Sequence, residues 1–548
     1  MNSNTDLATK IETWLAKNSN YVFYALLAIF VLSSLLHFSL RLSIAGDDST
    51  YITRALNFIE SGKYPDYQAP LYPIFLAAII AIVGINIPIL KLSSLLLLLI
   101  FMVLFYRTFK NKVSFTILTY SFTILSLSSY FIFFSSQTFS EPLFLVFTIL
   151  FFHQSFRWIP NKAPSHWTPQ RKDIIEVLLI SLFALGMYLT RTVGIGAIIS
   201  LVIFLLISKD YKRATWSIIT FGLFVFVFNV IRDAIWDIPS SDSVQALQLL
   251  SKNPYNATEG NEDIVGFINR FIDNSNLYLS KHFLRIIGFR TELNNTVIPL
   301  ATIGLYALYI WGLFTTFKQN KYLLFTAIFI TTMLGITFIS LQKLWDQYRL
   351  IIPFIPFMLL FICNALINLF NTNRLKKYRK IVLLIFTGSI ILTGWSSVKK
   401  TDLDNLSQNI NGNIYAGFTP DWVSYLKMVN YVNTQLPNDS YVACRKPNIA
   451  RIYANGKKFY GIYRIPSDDP YELAKLLKDK GITHVIMGSL RKNPYAYTGK
   501  SINTIQRFLS PMGKLYPEAF SIVKKYGEQE PTYLIKINYD IILNKEVQ

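Results

Sequence analysis

Cysteine and histidine are scarce in this chain, with 2 cysteines and 5 histidines among 548 residues. Cys363 lies in an apolar run and Cys444 lies far downstream. The sequence therefore predicts neither a disulfide framework nor a cysteine metal site. A glycine-rich phosphate loop, the HExxH and GxSxG motifs and a zinc-ligand spacing are absent as well. These absences leave interpretations as an NTPase, a metalloprotease or another hydrolase without support.

Acidic residues are also few, at 32 Asp and Glu against 53 Lys and Arg, which gives a formal net charge of +21. Charged residues make up only 16% of the chain, whereas 52% is hydrophobic and 15% aromatic. This composition indicates a polytopic α-helical membrane protein. The Lys and Arg residues cluster in short loops between apolar segments, as in cytoplasmic loops. The positive charge therefore does not predict nucleic acid as a partner.

Eleven apolar runs are long enough to cross a bilayer. They are 21–41, 88–106, 113–134, 139–156, 174–190, 193–208, 214–231, 298–317, 322–341, 350–370 and 381–398. Lys10 and Lys17 precede the first run without a small-residue cleavage site, so this run is expected to be retained. A further run at 69–84 is ambiguous, because as a helix it would reach only about 22 Å. The hydrocarbon core is roughly 30 Å thick.

The basic loops decide how the run at 69–84 is interpreted. If it does not cross, all five basic loops lie in the cytoplasm with the N-terminus, as the positive-inside rule favours. We therefore expect 69–84 to lie at the outer surface or in the interface. The alternative is that it crosses and that another run is miscounted, so that the basic loops still lie in the cytoplasm. The five loops are 106–112, 157–172, 209–213, 318–321 and 373–380.

This topology predicts about eleven spans in a transmembrane domain at 1–398 and a small extracytoplasmic α/β domain at 399–548. The first outer loop is 42–87, and a long outer loop covers 232–297. Strand and helix patterns alternate after residue 398, with Asp469 placed to cap the second helix. About 150 residues are enough for this domain to hold its own core.

Acids and bases at span ends collect on the outer side of this topology, and charges at membrane depth are usually functional. Each has a simpler interpretation, since long basic side chains extend to lipid headgroups and acids cap helix N-termini. Their convergence from five separate segments favours a functional site. The residues are Asp47, Asp48, Lys91, Glu141, Arg191, Lys343, Asp346 and Arg349.

The chemistry of this set suits transfer of a group from a phosphorylated lipid. A carboxylate at the interface can accept a proton from an attacking hydroxyl. Guanidinium groups, which present their donors as a fork, can hold a departing phosphate. A lipid-linked donor would also explain why the site lies at the membrane boundary.

Several short motifs resemble those of the GT-C-fold glycosyltransferases, in particular protein O-mannosyltransferases and lipid A aminoarabinose transferases of glycosyltransferase family 39. The stretch "AGDDSTYITRAL" resembles the Asp-acidic-x-x-Tyr motif of their first outer loop. The following "YPDYQAPLYPIFLAAIIAIVG" resembles their second juxtamembrane helix, and "SEPLFL" and "YRLIIPFIPFMLL" resemble later landmarks. The motifs occur in the same order as in that family, and together they extend over most of the chain. The resemblance implies a GT-C-like fold with juxtamembrane helices in the first outer loop.

The resemblance also implies an inverting glycosyltransferase of EC class 2.4 that uses a polyprenyl- or dolichyl-phosphate sugar on the outer face. Asp47 matches the general base of the family, and Arg349 matches the arginine at the donor phosphate. Gly46 is expected to free the backbone to turn out of the first span. A surface helix over 49–61 then fixes the loop. The other predicted site residues are Glu141 as a second catalytic acid, with Asp48, Tyr51, Lys91, Arg191, Lys343 and Tyr348 binding substrate.

Related oligosaccharyltransferases use a divalent metal held by several acids. Because only Asp47, Asp48 and Glu141 are available here, no required metal or other cofactor is expected, and a divalent metal stays open. Where the family usually has Glu, this chain has Asp48, whose side chain is one methylene shorter.

We expect an integral protein of a bacterial inner membrane in cell-envelope glycan biosynthesis, with its N-terminus in the cytoplasm. Its partners are membrane lipids, a polyprenyl-phosphate sugar and a glycan, lipid or protein acceptor. Two other functions stay open. A lipid-linked glycan flippase would line a path across the bilayer with polar residues. An O-antigen polymerase or ligase would usually carry a large arginine-rich outer loop.

Overall fold

A computed structural model describes residues 7–66, 68–159, 166–236, 249–253, 259–317, 319–494 and 496–543. Its contacts divide the chain into two compact units. We call 1–38, 63–75 and 89–403 the helical unit, and 39–62, 76–88 and 404–548 the sheet unit. The sheet unit therefore includes two segments of the first outer loop together with the C-terminal region. The predicted domain boundary at 398/399 stays a prediction.

Within the described residues, eight helices are long and apolar enough to cross a membrane. They are Ser19–Leu36, Ile87–Phe109, Arg171–Thr190, Tyr211–Trp236, Pro299–Thr316, Lys321–Ser340, Ile352–Phe370 and Lys376–Lys399. Each coincides with one of the predicted runs. The chain is thus an integral membrane protein with a predominantly helical membrane part.

Three predicted runs take a different form. The run 113–134 is a pair of helices, Phe115–Leu127 and Ser129–Ser136, bent by 62° at the break between them. The run 139–156 is the helix Glu141–Trp158, which is less apolar than the eight above. The run 193–208 is a short apolar helix over Thr192–Ile207. The prediction of eleven spans therefore stays a prediction.

The first outer loop contains two helices, as predicted. Asp47–Ser61, which we call the aspartate helix, begins two residues before the expected residue 49. The second is the 13-residue apolar helix Leu71–Val83, about 20 Å long. This length agrees with the interpretation that 69–84 does not cross.

The remaining helices of the membrane part and its loops are short. The α-helices are Leu7–Lys17, Gly196–Ile207, Ile264–Asn276, Leu284–Ile286 and Leu403–Ile410, and a π-helix covers Leu277–Phe283. Single 3-10 turns cover Phe133–Ser136, Thr192–Ile195, Tyr348–Leu350, Ile352–Phe354 and Lys376–Tyr378.

The C-terminal region folds around one mixed sheet of five strands in the order β2-β1-β3-β5-β4. β1 pairs in parallel with both β2 and β3, whereas β5 is antiparallel to β3 and β4. The five strands confirm that strand patterns follow residue 398. The strands are β1 (Tyr441–Cys444), β2 (Phe459–Gly461), β3 (Ile482–Gly488), β4 (Phe520–Tyr526) and β5 (Thr532–Ile537).

Five α-helices accompany this sheet: Pro420–Gln435, Pro447–Tyr453, Pro470–Asp479, Thr504–Leu515 and Tyr539–Leu543. The core between the sheet and three of these helices contains Leu473, Leu477, Val485, Phe508 and Met512. The predicted cap is confirmed, because the Asp469 carboxylate accepts a hydrogen bond from the Tyr471 N–H at 3.0 Å. The region therefore has its own buried core.

Candidate functional site

Two arginine side chains from distant parts of the helical unit meet at one buried carboxylate, that of Glu141. Arg191 donates to Glu141 Oε1 at 2.5 Å, and the Arg349 Nε donates to the same oxygen at 3.2 Å. Glu141 is fully buried, while each arginine side chain is 16% exposed. We call these residues the carboxylate–arginine cluster. The structure thus brings together three of the predicted site residues.

The local sequence explains how Arg191 reaches this position. Its helix ends at Thr190, and a tight turn follows in which the Gly194 N–H donates to the Arg191 carbonyl at 2.8 Å. A Cβ atom on Gly194 would lie 2.4 Å from the Met187 carbonyl carbon. Only glycine therefore permits the close turn from which Arg191 points to Glu141.

Arg349 and Tyr348 lie against the segment that leads into Glu141. The Arg349 guanidinium lies over the Phe139 ring, 4.6 Å from its centroid. The Tyr348 ring packs edge-to-face on Tyr130, with 5.0 Å between centroids. A guanidinium stacked on an aromatic face loses little of its hydrogen-bonding capacity, so this packing fixes Arg349 while its donors stay available to the cluster.

Lys91, which we predicted as a substrate-binding residue, is fully buried. Its Nζ donates to the Ser136 carbonyl at 2.6 Å. One turn later, the Ser94 hydroxyl donates to the Gln137 carbonyl at 2.6 Å. These two bonds hold the turn that precedes Glu141, so the contacts of Lys91 favour a positioning role.

One carboxylate oxygen of the cluster binds both arginines. Two guanidinium groups share Glu141 Oε1, and no described residue donates a hydrogen bond to Glu141 Oε2. An ion pair of this kind holds the arginines in a fixed orientation. Guanidinium groups held in this way are suited to binding an anion.

A second charged group anchors the loop before Arg349, and sequence reasoning missed most of it. Lys281 and His282, on the π-helix, both hydrogen-bond to the Asp346 carboxylate, His282 at 2.6 Å. The Tyr278 hydroxyl donates to the Trp345 carbonyl. We call Lys281, His282 and Asp346 the Asp346 cluster. π-Helices are often found at functional sites.

The electrostatics of the Asp346 cluster follow from partial burial. Burial raises the pKa of Asp346, but the hydrogen bonds from Lys281 and His282 outweigh it, so the pKa lies below its usual value. Burial lowers the pKa of His282 to about 4, against the attraction of Asp346. His282 is therefore neutral at neutral pH and acts as a hydrogen-bond partner rather than as a cation.

Lys343 lies in the same loop but has a different partner. Its Nζ is 2.7 Å from the Asp273 carboxylate, and both side chains are about half exposed. Exposed ion pairs of this kind contribute little to stability. The structure therefore places Lys343 in a surface ion pair and gives no support to the predicted substrate contact.

In the sheet unit, the predicted turn at Gly46 is present. Gly46 has a φ of +95°, in the left-handed region, and occupies the N-cap position of the aspartate helix. Its carbonyl accepts hydrogen bonds from the Thr50 N–H and from the hydroxyls of Ser49 and Thr50, at 2.8 to 2.9 Å. Because the helix begins at Asp47, both aspartates lie in its first turn rather than at the N-cap.

The two aspartates differ in their surroundings. Asp48 is fully buried and accepts a hydrogen bond from the Ser43 N–H at 3.2 Å, which closes the turn. Asp47 is half-buried. Tyr51, one turn later, is only 7% exposed. Asp48 thus supports the turn and Tyr51 packs within this helix, and the predicted substrate contacts of both residues stay predictions.

In the described part of the chain, no three His, Cys, Asp or Glu side chains come close enough together to hold a metal ion. Asp47 and Asp48 belong to the sheet unit and Glu141 to the helical unit. The expectation that no metal is required stays a prediction.

No protein-family model matches the chain, and no curated protein matches it in sequence. Among solved structures, ArnT from Cupriavidus metallidurans in the apo state aligns with a TM-score of 0.50 at 11% identity, over 95% of this chain and 98% of that chain. The apo Archaeoglobus fulgidus oligosaccharyltransferase aligns with a TM-score of 0.49 at 13% identity, over 85% and 70% of the two chains. The archaeal oligosaccharyltransferase AglB of that organism, in complex with an inhibitory peptide and a dolichol-phosphate, aligns at 0.48 and 11%, over 96% and 75%. The likeness to ArnT shows that this chain has a GT-C-like fold, as its motifs predicted.

Proposed function

We propose that this protein is an inverting glycosyltransferase that moves a sugar from a polyprenyl-phosphate donor to an acceptor hydroxyl on the outer face of the membrane. The observation that carries the proposal is the carboxylate–arginine cluster. It combines two fixed guanidinium groups with one buried carboxylate, in a membrane protein with a GT-C-like fold. Guanidinium groups in a fixed orientation suit a phosphate leaving group.

In this proposal Arg349 and Arg191 bind the donor phosphate and stabilise the charge that it gains as the bond to the sugar breaks. Stabilising charge that develops in the transition state is one of the largest contributions to enzymatic rates. Glu141 holds both arginines in place. We therefore assign it a positioning role in place of the catalytic role expected from the sequence.

Asp47 is the proposed general base. It accepts the proton of the acceptor hydroxyl while the hydroxyl oxygen bonds to the anomeric carbon and the bond to the phosphate oxygen breaks. The phosphate leaves with the bonding electrons, so the transfer needs no other co-reactant. Two features support this role: the match of "DDSTY" to the family motif and the half-buried position of Asp47 at the left-handed turn.

A donor-consumption assay tests the proposal. The purified full-length protein is incubated with single polyprenyl-phosphate sugars and an extract of candidate acceptors, and sugar transfer and released polyprenyl phosphate are measured. We expect transferred sugar and released polyprenyl phosphate in equal amounts. A protein that moves the donor across a vesicle membrane and leaves it intact would instead be a transporter.

The proposed side of the membrane is tested by cysteine labelling in intact cells. We expect an impermeant reagent to reach a cysteine placed at Asn438, in the C-terminal region, but not one placed at Asn111, in the first basic loop. Labelling of position 111 from outside would mean that 69–84 crosses the membrane. The native Cys363 and Cys444 are both buried, which keeps the background low.

A further inference from the structure

The short helix Pro447–Tyr453, which we call the docking helix, binds the aspartate helix within the sheet unit. Just before the docking helix, the Lys446 Nζ donates to the Ile44 carbonyl at 3.3 Å, next to the Gly46 turn. The Asn448 amide donates to the Thr50 hydroxyl at 3.3 Å. Residues about 400 positions later in the chain therefore bind both the turn and the first turn of the helix that carries Asp47.

Arg451 makes the strongest of these contacts. One terminal nitrogen donates to the Asn57 side-chain oxygen at 2.6 Å, and the other donates to Glu60 Oε1 at 2.6 Å. Its Nε donates to the Gly456 carbonyl at 3.2 Å, and the residue is only 4% exposed. All three guanidinium nitrogens are thus engaged, so Arg451 holds the last two turns of the aspartate helix in one orientation.

Glu60 is the charged partner of this contact. Burial raises its pKa, but the hydrogen bonds from Arg451 and Lys458 outweigh it, so the pKa lies below its usual value. Lys458 lies 3.2 Å from Glu60 Oε2, but its side chain is 61% exposed. Glu60 therefore pairs with one buried cation, Arg451, and one exposed cation, Lys458. Substitution of Lys458 is thus a matched control for substitution of Arg451.

Together these contacts hold the aspartate helix along its length. They act at residue 44 before the turn, at Thr50 in the first turn, and at Asn57 and Glu60 near the end. The docking helix is itself held firmly, since Ile449, Ala450 and Ile452 are almost fully buried. Contacts at both ends of a 15-residue helix oppose tilting, and contacts on one side oppose rotation.

We propose that the docking helix sets the position of Asp47 and that Arg451 is a positioning residue for sugar transfer. This inference rests on the proposed role of Asp47 as general base. It means that the C-terminal region contributes to the chemical step itself, through its hold on the aspartate helix. A displacement of a catalytic group by about 1 Å can cost roughly 100-fold in rate.

The position of Asp47 is tested without reference to activity. A nitroxide label is attached at Asp47→Cys in the full-length protein, and its mobility is measured by electron paramagnetic resonance with and without Arg451→Met. We expect the label to become more mobile with Arg451→Met and to stay unchanged with Lys458→Met, which removes the exposed cation. A label on Lys525→Cys, on β4, should not respond to either substitution.

The consequence for the reaction is tested with Asp47 intact. Arg451→Met should lower kcat by about 10- to 100-fold and leave KM for the polyprenyl-phosphate sugar within about twofold, because the arginines at the phosphate are untouched. Arg451→Lys, which keeps the charge and loses the fork, should restore part of the rate. Lys458→Met should keep the wild-type rate.

An unchanged nitroxide signal at position 47 in Arg451→Met would overturn the inference, as would a wild-type kcat in that variant. Wild-type turnover of Asp47→Asn would instead refute the proposed function, so the two failures are distinguishable. If Arg451→Met does not fold, Asn57→Ala and Asn448→Ala each remove one contact at opposite ends of the helix. Unchanged label mobility in both would overturn the inference equally.

Discussion

The two candidate regions of this protein are built in opposite ways. The carboxylate–arginine cluster joins residues that are 50 and 208 positions apart in the chain and meet at a single carboxylate. The aspartate pair is a contiguous motif, and its position comes from a left-handed glycine and from a helix about 400 residues later. One region is thus assembled from distant charges, and the other is a local motif with distant support.

The difference matches the chemistry proposed for each region. A phosphate carries a full charge and can be held by several fixed cations, which here come from distant positions in the chain. A general base needs one carboxylate at one place, so a short motif suffices if its helix is held firmly. The comparison therefore predicts that the arginines act on donor binding and on the leaving phosphate, whereas the aspartate acts on the chemical step alone.

The largest expected effect is that of Asp47→Asn. The substitution keeps the size of the side chain and removes the proton acceptor, so turnover should fall by roughly 10²–10⁴-fold. Asp48→Asn should cost less, since the Asp48 carboxylate supports the turn through Ser43. Turnover of both variants with one purified polyprenyl-phosphate sugar checks this. A larger loss for Asp48→Asn would exchange the two roles.

Arg349 should have the next largest effect. Loss of a hydrogen bond to a charged group costs about 1.5–3 kcal/mol, so Arg349→Ala should raise KM for the donor by roughly 10- to 100-fold. Arg349→Lys keeps the charge but not the fork, so its effect should be smaller. Arg191→Ala should be milder than Arg349→Ala, because its turn is short. Near-wild-type kinetics of Arg349→Ala would remove this residue from the mechanism.

A smaller effect is expected for Asp346→Asn, which weakens the anchor of the loop before Arg349. KM for the donor should rise by a few-fold, because the guanidinium is displaced rather than lost. The matched control is Asp273→Asn, which breaks only the exposed pair with Lys343. If the two variants have the same KM, the Asp346 cluster does not position Arg349.

The smallest effect concerns acid stability. The pKa of His282 is about 4 in the folded protein, because burial lowers it from 6.5. Between these values the unfolded chain binds a proton that the folded chain does not, so stability falls as the pH drops through this window. Thermal unfolding in detergent from pH 7 to 5 should show this loss in the wild type and less of it in His282→Gln. Asp346 loses its own contribution only at lower pH, because its pKa is depressed.

Much of the fold was predictable from the sequence, because bilayer thickness and strand alternation leave direct patterns. Long apolar runs mark the eight candidate spans, and alternating segments mark the five strands. The meeting of Glu141, Arg191 and Arg349 was also predictable, since charges at membrane depth rarely stay without partners.

Other features left no pattern in the sequence. The docking helix has seven residues, too few for a hydrophobic period to stand out. Lys281 and His282 lie on a π-helix in a long polar loop, where their spacing gives no signal. The charge of Lys91 marks it in the sequence, but its burial and its bond to the Ser136 carbonyl follow only from tertiary packing.

The central claim is that donor binding depends on the arginines and not on Asp47, and that the chemical step depends most strongly on Asp47. The most direct test measures, in one experiment, the Kd for a polyprenyl-phosphate sugar and the single-turnover rate at saturating donor, for Asp47→Asn and Arg349→Ala. We expect Asp47→Asn to bind the donor like the wild type and to react at least about 100-fold more slowly. Arg349→Ala should bind weakly and lose less of its saturated rate. Weakened binding in Asp47→Asn, with a wild-type rate at saturation, would contradict the claim.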